Sequence, residues 1–136
     1  QRFMFDEQIS LATRFDLPLI IHSVQATEDV TDLLKSHSKS RGVIHAYSGS
    51  IQQAENLLKI NFSFGFGNSL TNPQAYKLHD IVKFLPIESI VIETDDHKNP
   101  DELIQVAERV ARIKKLTVDE VIDQCDQNTR SIFNID

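Results

Sequence analysis

Hydrophobic positions along this chain follow two alternating patterns. Short apolar runs occur at Pro18-Leu19-Ile20-Ile21, Gly42-Val43-Ile44 and Ile90-Val91-Ile92, and a fourth, Phe62-Ser63-Phe64-Gly65-Phe66, alternates large with small. The first three are nearly unbroken and rich in β-branched residues, as in parallel strands covered on both faces. Between the runs, apolar residues repeat at helical spacing: Phe5, Ile9, Ala12 and then Phe15; Val30, Leu33 and Leu34; Ala54, Leu57 and Leu58; Leu78, Ile81, Val82 and Leu85. Ser50 with Gln53 and Thr117 with Glu120 read as capping boxes. Asn72-Pro73 and Asn99-Pro100 each predict an N-cap followed by proline at the first helical position. The predicted order is one helix, four strand–helix units and a last helix running through Val121 and Cys125 to near Phe133. That alternation predicts an α/β fold in one domain over residues 1–136, with a parallel sheet and right-handed crossovers. Four strands cannot close an eight-stranded barrel, which typically takes about 250 residues. The architecture expected is therefore an open four-stranded sheet, or half of a barrel that other sequence completes.

Composition narrows this picture without changing it. Hydrophobic residues make up 40% and charged residues 25% of 136 positions, which excludes a disordered tail. A chain of this size can bury roughly two thirds of its unfolded surface, so it needs no staples. No apolar run approaches the roughly 18 residues that span a bilayer, so no membrane partner is expected. The single cysteine cannot form an intrachain disulfide, which fits a reducing, cytoplasmic compartment. With a formal charge of −6, indiscriminate coating of nucleic acid is disfavoured; a local basic or metal-lined groove remains the way to hold phosphate. The sequence opens on Gln1 with no signal-like segment after it, which raises the expectation of a longer parent chain.

Candidate chemistry gathers at the strand ends. The runs finish at His22-Ser23, at His45, at Gly65 and Gly67, and at Glu93-Thr94-Asp95-Asp96. In parallel α/β architectures ligands bind at the carboxyl ends of strands. His22 and His45 lie about one βα unit apart, and Asp95 about two units further on, which places all three on one rim. Two neutral imidazoles and a carboxylate form a partial ligand set for zinc, manganese or another divalent ion. A lone histidine after an apolar run is usually a hydrogen-bonded structural residue, and it is the repetition at equivalent strand ends that favours ligation. His37 and His79 sit among polar helical residues and are expected to be solvated, while His97 stays ambiguous. Cys125 and the three phenylalanines Phe62, Phe64 and Phe66 read as core, and Gly65 and Gly67 as backbone freedom near the rim. No Walker motif, G-x-S-x-G elbow or Cys/His nucleophile pair is present.

Four strings occur in a telling order: Leu17-Pro18-Leu19-Ile20-Ile21-His22-Ser23, His45-Ala46-Tyr47-Ser48-Gly49-Ser50, Phe64-Gly65-Phe66-Gly67 and Ile92-Glu93-Thr94-Asp95. With the tail Asn128-Thr129-Arg130-Ser131-Ile132-Phe133, they resemble the C-terminal half of the TatD-like metal-dependent deoxyribonucleases, amidohydrolase-type TIM barrels. The resemblance implies that the four strands are the fifth to eighth of a (β/α)8 barrel. It implies His22, His45 and Asp95 as metal ligands, Asp95 also as general base, and one or two divalent ions (magnesium, zinc or manganese) per complete site. DNA is the implied substrate. Glu93 shares a face with Asp95 and is expected to orient a ligand. Ser48 is expected to contact substrate or to make a local turn bond. The family's His-x-His pair on its first strand and glutamate on its fourth have no counterpart here. Val24 stands where an arginine is frequent, and only Asp96, His97 and Lys98 separate Asp95 from Asn99-Pro100, where family members commonly carry a longer basic loop. The expected partners are therefore an N-terminal half-barrel or a second copy of the chain. Two other readings stay open: a non-catalytic half-barrel or interaction module with a vestigial metal site, and an amidohydrolase-type enzyme for a small non-nucleic substrate.

Overall fold

A computed structural model describes residues 2–22, 27–94 and 99–136. Six α-helices and four strands lie among the described residues, in the order α1 (Arg2–Arg14), β1 (Leu19–His22), α2 (Thr27–Lys35), β2 (Gly42–His45), α3 (Ile51–Lys59), β3 (Phe62–Phe66), α4 (Tyr76–Phe84), β4 (Ile90–Ile92), α5 (Asp101–Lys114) and α6 (Val118–Phe133), with short 3-10 turns at Asn68–Thr71 and Ile87–Ser89. The strands form one parallel sheet in the order β1-β2-β3-β4. Sequential neighbours in a parallel sheet require a helical crossover each time, and α2, α3 and α4 supply these.

The register assigns every side chain to a face. Ile20 lies beside Val43 and His22 beside His45; Val43 lies beside Ser63; Gly65 lies beside Val91. These residues share one face. Ile21, Ile44, Phe62, Phe64, Phe66 and Ile90 take the other, where they are buried. That second face carries the core, with Ile9, Leu34, Leu57, Val82, Val106 and Val121 packed from the helices. The three phenylalanines are thus core, as expected, and α5 and α6 pack on each other and on β4.

Helix α6 is tied to the sheet by a buried amide: Asn128 Nδ2 donates to the carbonyls of Ile87 and Ile90, both at 2.8 Å. Arg41, before β2, donates to the carbonyl of Ile132 at the end of α6 and to that of Asp16 after α1, closing the chain ends around the sheet.

Both capping boxes form at α3 and α6. The two proline starts differ from expectation. Helix α5 begins one residue late, with Pro100 itself in the N-cap position. Helix α4 begins only at Tyr76. Asn72 there turns inward on its own chain, its Oδ1 accepting from Gln74 N–H at 3.0 Å and its carbonyl from Ala75 N–H, so the asparagine makes a local turn instead of capping a helix. His37 and His79 are half-buried and hydrogen-bonded, not fully solvated: His37 Nε2 lies 2.7 Å from Asp6 Oδ1 on α1, and His79 Nε2 lies 3.0 Å from the Leu70 carbonyl.

Candidate metal and substrate site

Parallel pairing in register puts His22 and His45 at the carboxyl ends of neighbouring strands on the face away from the core. Their ring centroids are 4.4 Å apart with the planes tilted by 60°. Glu93 follows β4, its N–H extending the ladder to the Phe66 carbonyl at 2.9 Å. From there the side chain crosses β3 and reaches the end of β2. Its Oε2 is 2.7 Å from His45 Nδ1, and its Oε1 accepts the Ala46 N–H at 2.6 Å. Both side chains are well covered, His45 being 15% and Glu93 17% exposed.

The crossing depends on Gly65. A Cβ built there would stand 2.7 Å from Glu93 Cδ and closer still to its Oε2. The expected backbone freedom is not what Gly65 and Gly67 supply, since neither has a left-handed φ. Both sit under Glu93, and a Cβ on Gly67 would come 3.2 Å from the Glu93 carbonyl. At this rim it is Ala46 that takes a left-handed conformation, φ 49°.

Beside this arrangement lies a cavity of about 350 Å³, lined by His45 and Glu93 on one side and by Ser48, Asn68, Thr94 and Glu102 on others. Thr94 Oγ1 donates to Glu102 at its edge. Tyr47 closes the base of the 46–50 turn: its N–H donates to the Gly65 carbonyl at 3.0 Å, its hydroxyl to the Ser50 carbonyl at 2.6 Å, and its ring meets Phe64 edge-on. Burial pushes the Tyr47 phenol well above its ordinary range, so it stays a neutral donor.

Of the residues singled out from sequence, the structure brings His22, His45 and Glu93 together and leaves Ser48 exposed at the cavity wall. Asp95 and His97 lie outside the described residues. Among the described residues no group of three or more His, Cys, Asp or Glu side chains is placed to hold a metal. The donors that fit a divalent ion are the two imidazoles, with a carboxylate fixing one of them, as is usual for metal-bound histidine. Sequence reasoning missed Ala46 N–H, the Thr94–Glu102 pair and the clearance role of Gly65. The last had a signal, a glycine on the strand between a histidine and a glutamate.

This site sits in a chain with specific relatives. A family model described as TatD related DNase matches residues 1–134. The Escherichia coli (strain K12) protein named uncharacterized metal-dependent hydrolase YjjV is 33% identical over 99% of this chain and 57% of its own length. Its crystal structure superposes with a TM-score of 0.90, again over 99% of this chain and 57% of that one. The Bacillus subtilis (strain 168) protein named metal-dependent hydrolase YabD is also 33% identical, over 58% of its length. A human relative named deoxyribonuclease TATDN3 is 29% identical over 51% of its length. The chain thus spans little more than half the length of these relatives. Histidines in register on adjoining strands, a glutamate bridged across a glycine, and a match over nearly every residue lead to one assignment: the chain belongs to the TatD-related DNase family.

Proposed function

We propose that this chain carries the C-terminal half of the active site of a divalent-metal-dependent hydrolase that cleaves phosphodiester bonds in DNA. The observation that carries the reading is the pair His22 and His45, in register on adjacent strands with ring centroids 4.4 Å apart. A family relative named a deoxyribonuclease supports the choice of substrate. A bound magnesium, manganese or zinc ion supplies Lewis acidity toward a phosphoryl oxygen and a water acidified toward a pKa of ~7. His22 and His45 offer ring nitrogens to that group. Asp95 completes the donor set from the sequence and takes the proton of the attacking water. Ser48, exposed on the cavity wall, hydrogen-bonds the substrate strand.

The remainder of the barrel is the partner this reading requires. Helix α1 exposes Met4 and Leu11, the segment after it exposes Phe15 and Leu17, and Ile20 is exposed on β1, an edge of the sheet. Edges and apolar faces of this kind are normally covered, and relatives carry as much further sequence as an N-terminal half-barrel needs. Sedimentation with and without a separately produced N-terminal half tests this: a 1:1 complex is expected. A chain that stays monomeric in its presence and binds little apolar dye overturns it, and self-association alone assigns the surface to a second copy.

Activity is tested by nucleotide release from single-stranded DNA, with RNA in parallel, by the completed barrel. Release is expected only with a divalent ion, and Asp95→Asn, which keeps shape but removes the charge, is expected to slow it about 10²–10⁴-fold. Cleavage that survives chelation, or an unchanged rate in Asp95→Asn, overturns the mechanism. Preference for RNA overturns the substrate.

A further inference from the structure

Resting on that reading, we infer that Glu93 is a positioning residue that fixes the His45 ring and the turn bearing Ser48 as one unit, and that Gly65 exists to let it through. The argument starts from donors and acceptors. Ala46 N–H can only donate, and it points at Glu93 Oε1. A carboxylate can only accept, so the contact at 2.7 Å requires the proton on His45 Nδ1. Nε2 is then the unprotonated nitrogen, the one whose lone pair faces outward as a ligand would need. One carboxylate thus sets the tautomer of the imidazole and anchors the next peptide in its left-handed conformation at φ 49°. From Ala46 the chain passes through Tyr47, pinned at its N–H to Gly65 and at its hydroxyl to Ser50, so Ser48 is held between fixed points. The ligand nitrogen and the cavity wall cannot move independently.

The path of the side chain is as specific as its ends. Glu93 leaves β4 and must pass over β3 to reach β2, and Gly65 lies beneath it. The three heavy atoms nearest to a Cβ at Gly65 all belong to the Glu93 carboxylate. Any other residue there excludes the bridge.

An amide makes the requirement visible. Glutamine at position 93 offers one accepting oxygen to two donors. It can serve Ala46 N–H only by turning its NH2 toward His45, which moves the ring proton to Nε2. It can serve His45 only by facing an N–H with an N–H.

The test uses the barrel completed with its N-terminal half, with imidazole ¹⁵N NMR for the tautomer and calorimetric titration of zinc for affinity. Wild-type His45 is expected to carry its proton on Nδ1 before any metal is added. Glu93→Gln is expected to shift the tautomer and weaken zinc binding about 10–100-fold, the usual effect of losing such a carboxylate. Gly65→Ala is expected to do the same and to lower the melting temperature. Adding Glu93→Ala to Gly65→Ala removes the colliding group, so the double variant is expected to melt higher than Gly65→Ala alone. A wild-type proton on Nε2, or Gly65→Ala with unchanged His45 signals, overturns the inference. So does a double variant melting no higher than Gly65→Ala. Correct tautomers in a completed barrel that binds no zinc overturn the metal reading and leave the clamp standing.

Discussion

The two faces of the sheet are built on opposite principles. On the helix-covered face Phe62, Phe64 and Phe66 point between helices and are essentially inaccessible to solvent, with Ile21, Ile44 and Ile90 beside them. On the opposite face the same strands present His22, His45, Ser63 and Gly65, and Ile20 is 58% exposed. The first face is stabilised by filled volume; on the second Val43 and Val91 are covered, while the β1 edge and the rim around Gly65 are organised by space left open. Gly65 shows both principles at one address: Phe64 and Phe66 flank it in sequence and fill the core, while its missing Cβ opens the way for Glu93.

The sharpest way to break this comparison is to empty the packed face. Phe64→Ala removes a fully buried ring that also meets Tyr47, and is expected to cost about 3–5 kcal/mol in urea unfolding. Asn128→Ala leaves the Ile87 and Ile90 carbonyls without their amide donor and strands Gln124, which now donates to Asn128 Oδ1. A loss of roughly 1–3 kcal/mol is expected by the same measurement.

Cys125, on the same packed side, gives a pH-dependent version. Burial pushes its thiol up from 9.0 to about 11, against a smaller opposing effect of a backbone hydrogen bond at Ile92. A raised folded-state value means the folded chain keeps its proton longer than the unfolded chain. This contribution is therefore whole below pH 9.0 and lost as the pH climbs through about 11. Unfolding curves of wild type and Cys125→Ala are expected to converge across that window, and a constant difference would show that the thiol does not titrate with folding.

The smallest effect belongs to the open face. Ile20→Ser in the isolated chain is expected to change stability by no more than about 0.5 kcal/mol, because the side chain is already in water. If it costs as much as Phe64→Ala, the contrast between the faces is wrong.

Elements were legible in the sequence because their signals are local. Runs of β-branched residues, apolar repeats at three and four, and the Ser50 and Thr117 capping boxes each act within a few residues, and the strands, helices and both caps formed where they indicate. Asn72-Pro73 misled for the same reason: an asparagine before proline serves a helix cap or a local turn equally well, and Asn72 takes the turn. Asp6 and His37 pair across 31 positions, a contact no local pattern announces.

Which chemistry is available could be read from the order of residues alone: two histidines and a glutamate, each at or just past the end of an apolar run, on one rim of a parallel sheet. Period-two alternation makes that placement nearly automatic once the strands are recognised. How those groups are used follows from the folded sheet. That Glu93 belongs to His45, that its second oxygen takes the Ala46 N–H, and that Gly65 serves by absence all depend on three strands meeting edge to edge. Hydrogen bonds and excluded volume act over about 3 Å in space, and residues 45, 65 and 93 are brought within that range only by the folded sheet.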